Sequence, residues 1–268
     1  MVSALVLGST GLTGSQILAY LKTLSHKDIA SIVTLGRRKP EARSSSVTRI
    51  SNSTASSSEA LPKVTHLVEP DTSTWPAQIY SLAEPPEIIF SALGTTRSAA
   101  GSLAAQFTLE HDLNLSIARA AKERGTSVYV LVSSFGATSA SFVPYLRMKA
   151  QIEKSLAKLQ FDKLIVLRPT WILGDRNLDG KGARGVENAV KRMFTAAGDF
   201  GLTGFRDFWT QDAAVIAVAA VKLGLKAVEQ EGRGNEEGKT GTAKRAPRDK
   251  WGKAVVVESR RIVQVARS

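Results

Sequence analysis

Short, nearly all-apolar runs recur along the chain, separated by longer stretches in which apolar residues return every three or four positions. Ala4-Leu5-Val6-Leu7, Ile32-Val33-Thr34-Leu35, Val64 to Val68, Ile88-Ile89-Phe90-Ser91-Ala92, Val128 to Val132 and Leu164 to Leu167 are runs of the first kind. Each predicts a buried strand. Ile17, Leu18 and Leu21 mark one face of a helix after the first run. Leu103 to Arg124 predicts a second helix, stopped by Gly125, and Tyr145 to Leu159 a third. Ala254-Val255-Val256-Val257 predicts a late strand, and Arg260 to Arg267 a short terminal helix. Strands apolar on both faces that alternate with helices make a parallel sheet covered on both sides. The expectation is α/β: a doubly wound parallel sheet in a single domain over residues 1–268, with a small C-terminal extension on the substrate side.

Two segments break this pattern. Residues 44–58 hold eight serines and two threonines with almost nothing to bury. Residues 230–250 are rich in Gly, Glu, Lys and Arg. Both are expected to be surface insertions, at about 43–60 and 230–250, rather than domain linkers.

Composition narrows the chemistry. The chain of 268 residues has no cysteine, which excludes a disulfide framework, a zinc ribbon and a thiol nucleophile. His26, His66 and His111 lie far apart and have no metal-ligand spacing, so no metal site is expected. No apolar run reaches the ~18 residues that cross a bilayer. The formal charge is +12, which favours acidic partners such as phosphorylated cofactors, nucleic acid or an anionic surface. Yet residues 233–268 carry ten Lys or Arg against four Asp or Glu, so half the excess is at one end. Nucleic acid wants a basic stripe on a folded face, and none of its sequence signatures is present, so no nucleic-acid partner is expected.

Three motifs carry the chemistry. Gly8-Ser9-Thr10-Gly11-Leu12-Thr13-Gly14 follows the first strand and opens the first helix. Its glycines let backbone approach a pyrophosphate, whose charge the helix N-terminus meets. The alternative is a turn that only packs helix on strand. The second strand runs into Gly36-Arg37-Arg38-Lys39, where an NAD site usually has a carboxylate for the ribose. Guanidinium forks suit a 2′-phosphate, so NADPH is expected over NADH, the alternative being a solvated basic loop. Tyr145-Leu146-Arg147-Met148-Lys149 is Tyr-x-x-x-Lys, and on a helix both side chains share one face. An ammonium beside a phenol favours the ionised form and suits the pair to proton exchange with a substrate oxygen. Ser133-Ser134 ends the strand before it, where open α/β sheets place ligand-binding groups, although ordinary loop capping also explains a serine pair.

Together these residues resemble the atypical branch of the short-chain dehydrogenase/reductase superfamily. The likeness continues through Ser91-Ala92-Leu93-Gly94-Thr95-Thr96-Arg97, Val132-Ser133-Ser134-Phe135-Gly136-Ala137, and Phe161-Asp162 leading to Leu167-Arg168-Pro169-Thr170-Trp171-Ile172-Leu173-Gly174-Asp175-Arg176. It extends to Val255-Val256-Val257-Glu258-Ser259-Arg260-Arg261-Ile262-Val263. These stretches resemble a subgroup of Tat-interactive-protein-like oxidoreductases and their fungal relatives at the mitochondrial outer membrane. The resemblance spans nearly the whole chain apart from the two insertions. It implies a Rossmann-type NAD(P)-binding domain, with NADPH held by Thr10, Gly11, Leu12 and Thr13 and its 2′-phosphate region by Arg37 and Arg38. It implies that Ala92 and Leu93 line the cofactor, that Ile172 packs near the nicotinamide, and that Tyr145 and Lys149 are catalytic. The superfamily often has an Asn on the helix before the serine strand; here Glu110 stands at the nearest equivalent and Asn114 one turn later. Which of Ser133 and Ser134 is catalytic stays open, with Ser134 favoured.

Two functions are compatible with this reading: an NADPH-dependent reductase of a carbonyl substrate, and an NADPH-binding regulatory scaffold with little turnover. The intact Ser/Tyr/Lys set favours the enzyme. The substrate pocket is expected after Gly174, notably at Phe200, Phe205, Phe208 and Trp209, unless those aromatics are helix-packing core. The fungal relatives imply the cytosolic face of the mitochondrial outer membrane, with the cytosol as the alternative. A cleavable presequence is not expected, because the cofactor-binding strand begins by Ala4. Attachment is expected to be peripheral, through Lys244, Arg245, Arg248, Lys250 and Lys253. The sequence leaves the oligomeric state open.

Overall fold

Consecutive residues of the apolar runs enter two different cores, which is the physical content of a strand buried on both faces. In the computed structural model, which describes residues 2–41, 60–173, 210–237 and 254–268, β1 (Val2–Leu7) sends Ala4 and Val6 to one side and Leu5 and Leu7 to the other. The same split holds for β4 (Ile88–Ser91), β5 (Val128–Val132) and β6 (Lys163–Arg168). β2 (Ile29–Gly36), β3 (Lys63–Val68) and β9 (Ala254–Glu258) complete a seven-stranded sheet in the order β3-β2-β1-β4-β5-β6-β9. Every pairing in it is parallel. The doubly wound parallel architecture expected from the pattern is the one observed.

Helices cover both faces. α1 (Leu12–Leu21) and two later helices, α7 (Ala213–Glu237) and α8 (Ser259–Arg267), pack together against one core. The run Ala213 to Val221 lies almost wholly in that core as the first part of α7. On the opposite face lie α2 (Trp75–Tyr80), α5 (Leu113–Glu123) and α6 (Pro144–Ala157). The short α3 (Arg97–Ala100) and α4 (Leu103–Phe107) lead from β4 towards α5. β7 (Trp171–Leu173) and β8 (Thr210–Asp212) pair as a separate two-stranded ribbon.

The structure differs from the expectation in three places. The helix expected from Leu103 to Arg124 runs without a break to Glu123, but its middle turn, Thr108–Asp112 between α4 and α5, is π-helical. A π turn accommodates one extra residue and disturbs the apolar period too little to be seen in sequence. Residues 230–237, expected in a surface insertion, continue α7. Polar composition reports exposure, not loss of helix; Glu and Gln are good helix formers, and extending an existing helix costs little. The rest of that segment and nearly all of 43–60 lie outside the described residues. α2 was not anticipated, although Asp71 accepts from Ser73 N just before it and Pro76 occupies its first turn.

Candidate functional site

The order of the sheet reverses between β1 and β4, and such a switch point opens a crevice beyond the carboxyl ends of the strands. The glycine loop enters that crevice. Gly8 has φ +77°, and a Cβ there would lie 2.5 Å from Ala92 O. A Cβ on Gly14 would lie 2.1 Å from Gly8 O. Both contacts are impossible for real side chains, so β1, α1 and the segment after β4 converge only because these positions are bare. Gly11 N donates to Gly8 O at 2.9 Å and closes the turn. Gly11 is also the N-cap of α1 and provides no side-chain cap. The first helical bond is Ser15 N to Gly11 O, so the N–H groups of Leu12, Thr13 and Gly14 precede the ladder. Ser9 Oγ is buried with no hydrogen-bond partner among the described residues. A tight backbone cradle, free helix donors and an orphan hydroxyl fit a pyrophosphate.

Ala92 and Leu93 line the adjoining wall, half-buried just beyond β4, and Ala92 N donates to Leu7 O at 3.1 Å. Arg37 and Arg38 are exposed just beyond β2, at the same end of the sheet. Ile172 is half-buried in β7 and packs against the core shared by α1 and α7.

The second half of the site is the β5–α6 connection. Tyr145 and Lys149 occupy the first turns of α6, Tyr145 half-buried and Lys149 buried. The Lys149 ammonium lies 5.5 Å from the centre of the Tyr145 ring. It also lies 2.7 Å from Glu110 Oε2 in the π turn, and both side chains are buried. That contact is an ion pair outside good hydrogen-bond geometry, so Oε2 has no aligned donor. Burial pulls Lys149 towards the neutral form, but Tyr145, Glu110 and Glu153 outweigh it and hold its pKa above the ordinary lysine value.

The two serines part company. Ser133 is buried and donates to Glu153 Oε1. Arg168 Nε and Nη2 hold the same carboxylate, at 3.1 and 2.6 Å, and Arg168 Nη1 reaches Glu258 at 3.2 Å. Ser133 is thereby fixed in a charged network joining β5, α6, β6 and β9. Ser134 is more open, and among the described residues its hydroxyl makes only a long contact of 3.4 Å, to Phe135 O. The geometry thus leaves Ser134 the freer hydroxyl. The Asn114 side-chain carbonyl is engaged by Ser91 and Tyr129: Oδ1 accepts from Ser91 Oγ at 2.8 Å and from the buried Tyr129 hydroxyl at 2.6 Å, bracing β4, β5 and α5. Burial pushes the Tyr129 phenol well above its ordinary pKa.

Sequence reasoning named Glu110 as a departure without foreseeing its partner, and it missed Glu153. The signal for Glu153 is its place one helical turn past Lys149, as Lys149 is one turn past Tyr145. Nothing local to Arg168 or Glu258 could have joined them to that helix. Phe135, Phe142 and Val143 are exposed apolar residues of the same β5–α6 connection. A groove of about 410 Å³ opens between this loop and Arg168, Ser259 and Arg260, but neither Tyr145 nor Lys149 lines it. Phe200, Phe205, Phe208 and Trp209, expected to form the substrate pocket, lie outside the described residues.

Comparison with known proteins adds kinship. The HIM1 family matches residues 68–196. "Protein fmp52-1, mitochondrial" of Aspergillus terreus is 43% identical over 229 residues, covering 85% of this chain and 90% of the relative. The chain belongs to the fungal Fmp52 family. A more distant relative in Neurospora crassa, "Protein fmp-52, mitochondrial", is 38% identical over 85% of this chain and 87% of its own. Among solved structures, MoeE5 in complex with UDP-glucuronic acid and NAD aligns with a TM-score of 0.57 and 14% identity, over 96% of this chain and 75% of that one. The Bordetella bronchiseptica enzyme WbmH in complex with NAD+ aligns with a TM-score of 0.55 and 12% identity, over 97% and 88%. At such identities the likeness establishes the fold: this Fmp52-family chain has the Rossmann-type architecture of NAD-bound enzymes.

Proposed function

We propose that this chain is an NADPH-dependent reductase of a carbonyl substrate, acting through Tyr145, Lys149 and Ser134. The observation that carries the reading is the buried Lys149 ammonium 5.5 Å from the Tyr145 ring, at the end of the sheet where the glycine cradle opens. NADPH, when bound, supplies the hydride. The cradle of Gly8, Thr10, Gly11, Leu12, Thr13 and Gly14 holds the pyrophosphate, with Ala92, Leu93 and Ile172 along the rest of the cofactor. Ser134 donates a hydrogen bond to the substrate oxygen and orients it. Tyr145 delivers the proton to that oxygen as the carbonyl carbon is reduced. Lys149 stabilises the charge left on the phenol oxygen. The exposed Phe135, Phe142 and Val143 favour an apolar carbonyl compound. Oxidation of NADPH over a panel of aldehydes and ketones tests the reading; no substrate-dependent oxidation with any of them sinks it.

Preference for NADPH over NADH rests on Arg37 and Arg38 beyond β2 in place of a carboxylate. Replacing both by Ala should cost ~1–3 kcal/mol in NADPH binding, the range for charge-assisted hydrogen bonds, and leave NADH unaffected. Equal affinity of the unmutated protein for both nucleotides, by calorimetry, would reverse the assignment. The alternative function is a nucleotide-binding regulatory scaffold. It is favoured by the direct Glu110–Lys149 pair, which occupies the lysine before any ligand arrives.

The proposed setting is the cytosolic face of the mitochondrial outer membrane, among Tat-interactive-protein-like oxidoreductases, with the cytosol as the alternative. It is supported by relatives named as mitochondrial proteins. Among the described residues no helix is long and apolar enough to cross a membrane. Peripheral attachment through Lys244, Arg245, Arg248, Lys250 and Lys253 would gain about 1 kcal/mol per cation at an anionic surface. Release of the protein from mitochondria by salt and by alkaline carbonate is the expected result; retention through both treatments would mean a different anchor.

A further inference from the structure

We propose that Glu110 is the positioning residue of the site: a buried counter-ion that fixes the Lys149 ammonium beside Tyr145 and ties it to the backbone of Thr95. The inference rests on the reductase reading for its catalytic meaning and on the geometry alone for the pairing.

Lys149 is buried, so its charge has to be balanced by the groups around it. Three groups bear on its charge: Tyr145 and Glu153 from its own helix, and Glu110 from the π turn packed against that helix. Glu153 is already committed. Arg168 grips both of its oxygens and Ser133 donates to one of them. His111, next to Glu110, faces α6 too, but its Nδ1 meets Asp112 and its Nε2 meets Ser155. Among the described residues, Glu110 is therefore the one carboxylate in ion-pair contact with Lys149, at 2.7 Å. Both side chains are buried, and in a low-dielectric interior neither charge is tolerable alone.

The other oxygen of Glu110 looks the opposite way. Oε1 accepts from Thr95 N at 2.9 Å and from Gln106 Nε2 at 3.1 Å. Gln106 Nε2 also donates to Thr95 O at 2.8 Å, so Thr95 is clamped through both backbone groups. Thr95 lies two residues beyond Leu93, on the wall of the crevice beyond β4. One carboxylate thus spans from the helix of Tyr145 and Lys149 to the cofactor-side loop. A shift of that loop must move the carboxylate, and with it the ammonium. The π turn serves this arrangement by presenting two consecutive residues, Glu110 and His111, to the same helix.

The test is Glu110→Gln, which keeps the shape and an acceptor for Thr95 N while removing the charge. In nucleotide-free protein labelled with ¹³C-lysine, the Lys149 resonance is identified by its loss in Lys149→Arg. Glu110→Gln should lower the pH at which that resonance titrates, because the carboxylate in direct contact with the ammonium no longer opposes burial. The alkaline limb of NADPH-dependent turnover should move in the same direction, and Glu110→Asp should restore part of both shifts. An unchanged Lys149 titration in Glu110→Gln overturns the proposal. Should Glu110→Gln fail to fold, the double variant Glu110→Gln/Lys149→Met, which removes both charges, is expected to recover a folded protein; failure of that recovery overturns the pairing as well. Absence of turnover in the unmutated protein would count against the reductase reading alone, since the titration is read without cofactor or substrate.

Discussion

The two halves of the crevice are built by opposite means. On the β1–α1 side the candidate groups are backbone: Gly8 and Gly14 bring strand, helix and the wall after β4 within distances no side chain permits. On the β5–α6 side they are buried charges: Glu110 with Lys149, and Glu153 with Arg168 and Ser133. A backbone cradle is local, since its residues lie within one loop. A charge network is not, since Ser133, Glu153, Arg168 and Glu258 come from four elements. The first is damaged by adding atoms, the second by removing a partner.

Tyr145→Phe separates the halves most sharply. Phe fills the same volume and lacks only the hydroxyl, so NADPH affinity should hold while carbonyl reduction falls ~10²–10⁴-fold. Titration with NADPH beside steady-state rates reads both. Normal turnover would make Tyr145 a structural residue and strengthen the scaffold alternative.

Arg168→Met strikes the charged half away from Tyr145. It leaves Glu153 buried with Ser133 as its remaining hydrogen-bond partner among those described. Removing one member of a buried pair is expensive, so stability should fall by about 3 kcal/mol. Chemical denaturation measures it; a loss under 1 kcal/mol would mean that water already screens the network.

Gly14→Ala is the corresponding blow to the cradle. The added methyl would meet Gly8 O at 2.1 Å, and backbone must move to admit it. Overpacking of this kind should cost about 2 kcal/mol and weaken both nucleotides alike, because the pyrophosphate is common to them. A variant that binds NADPH and NADH normally would show the loop to be packing alone.

This contrast explains what could be read from sequence. Six of the seven strands were legible as dense apolar runs, and the glycine loop because its parts are contiguous; edge strand β3, with no residue fully buried, shows only Val64, Leu67 and Val68. Tyr145 and Lys149 were legible because helical spacing puts i and i+4 on one face. The pairing of Glu110 was not, because its partner lies 39 positions away on another helix and the π turn leaves no mark on the apolar period. Nor was the continuation of α7 through Glu237, since Glu, Gln and Arg describe an exposed helix as well as a loop.

The smallest effect decides the point at which sequence reasoning stalled, the choice between two adjacent serines. Ser133 is buried and donates to Glu153; Ser134 is half-buried with one long contact. Ser133→Ala removes one hydrogen bond from a carboxylate that Arg168 still holds at 2.6 Å, so the loss should be only about 1 kcal/mol. Turnover should change little, because the charged partners keep the loop in place. Ser134→Ala should do the reverse: the thermal midpoint stays put, and reduction slows as the substrate oxygen loses a donor. Thermal denaturation and rates on the same two preparations give four numbers: only Ser133→Ala should lose stability, and only Ser134→Ala should lose rate. If Ser133→Ala proves the slower enzyme at unchanged stability, the buried serine is the catalytic one. The Glu153 contact would then have to open during turnover, and the charged half would be a moving part rather than a frame.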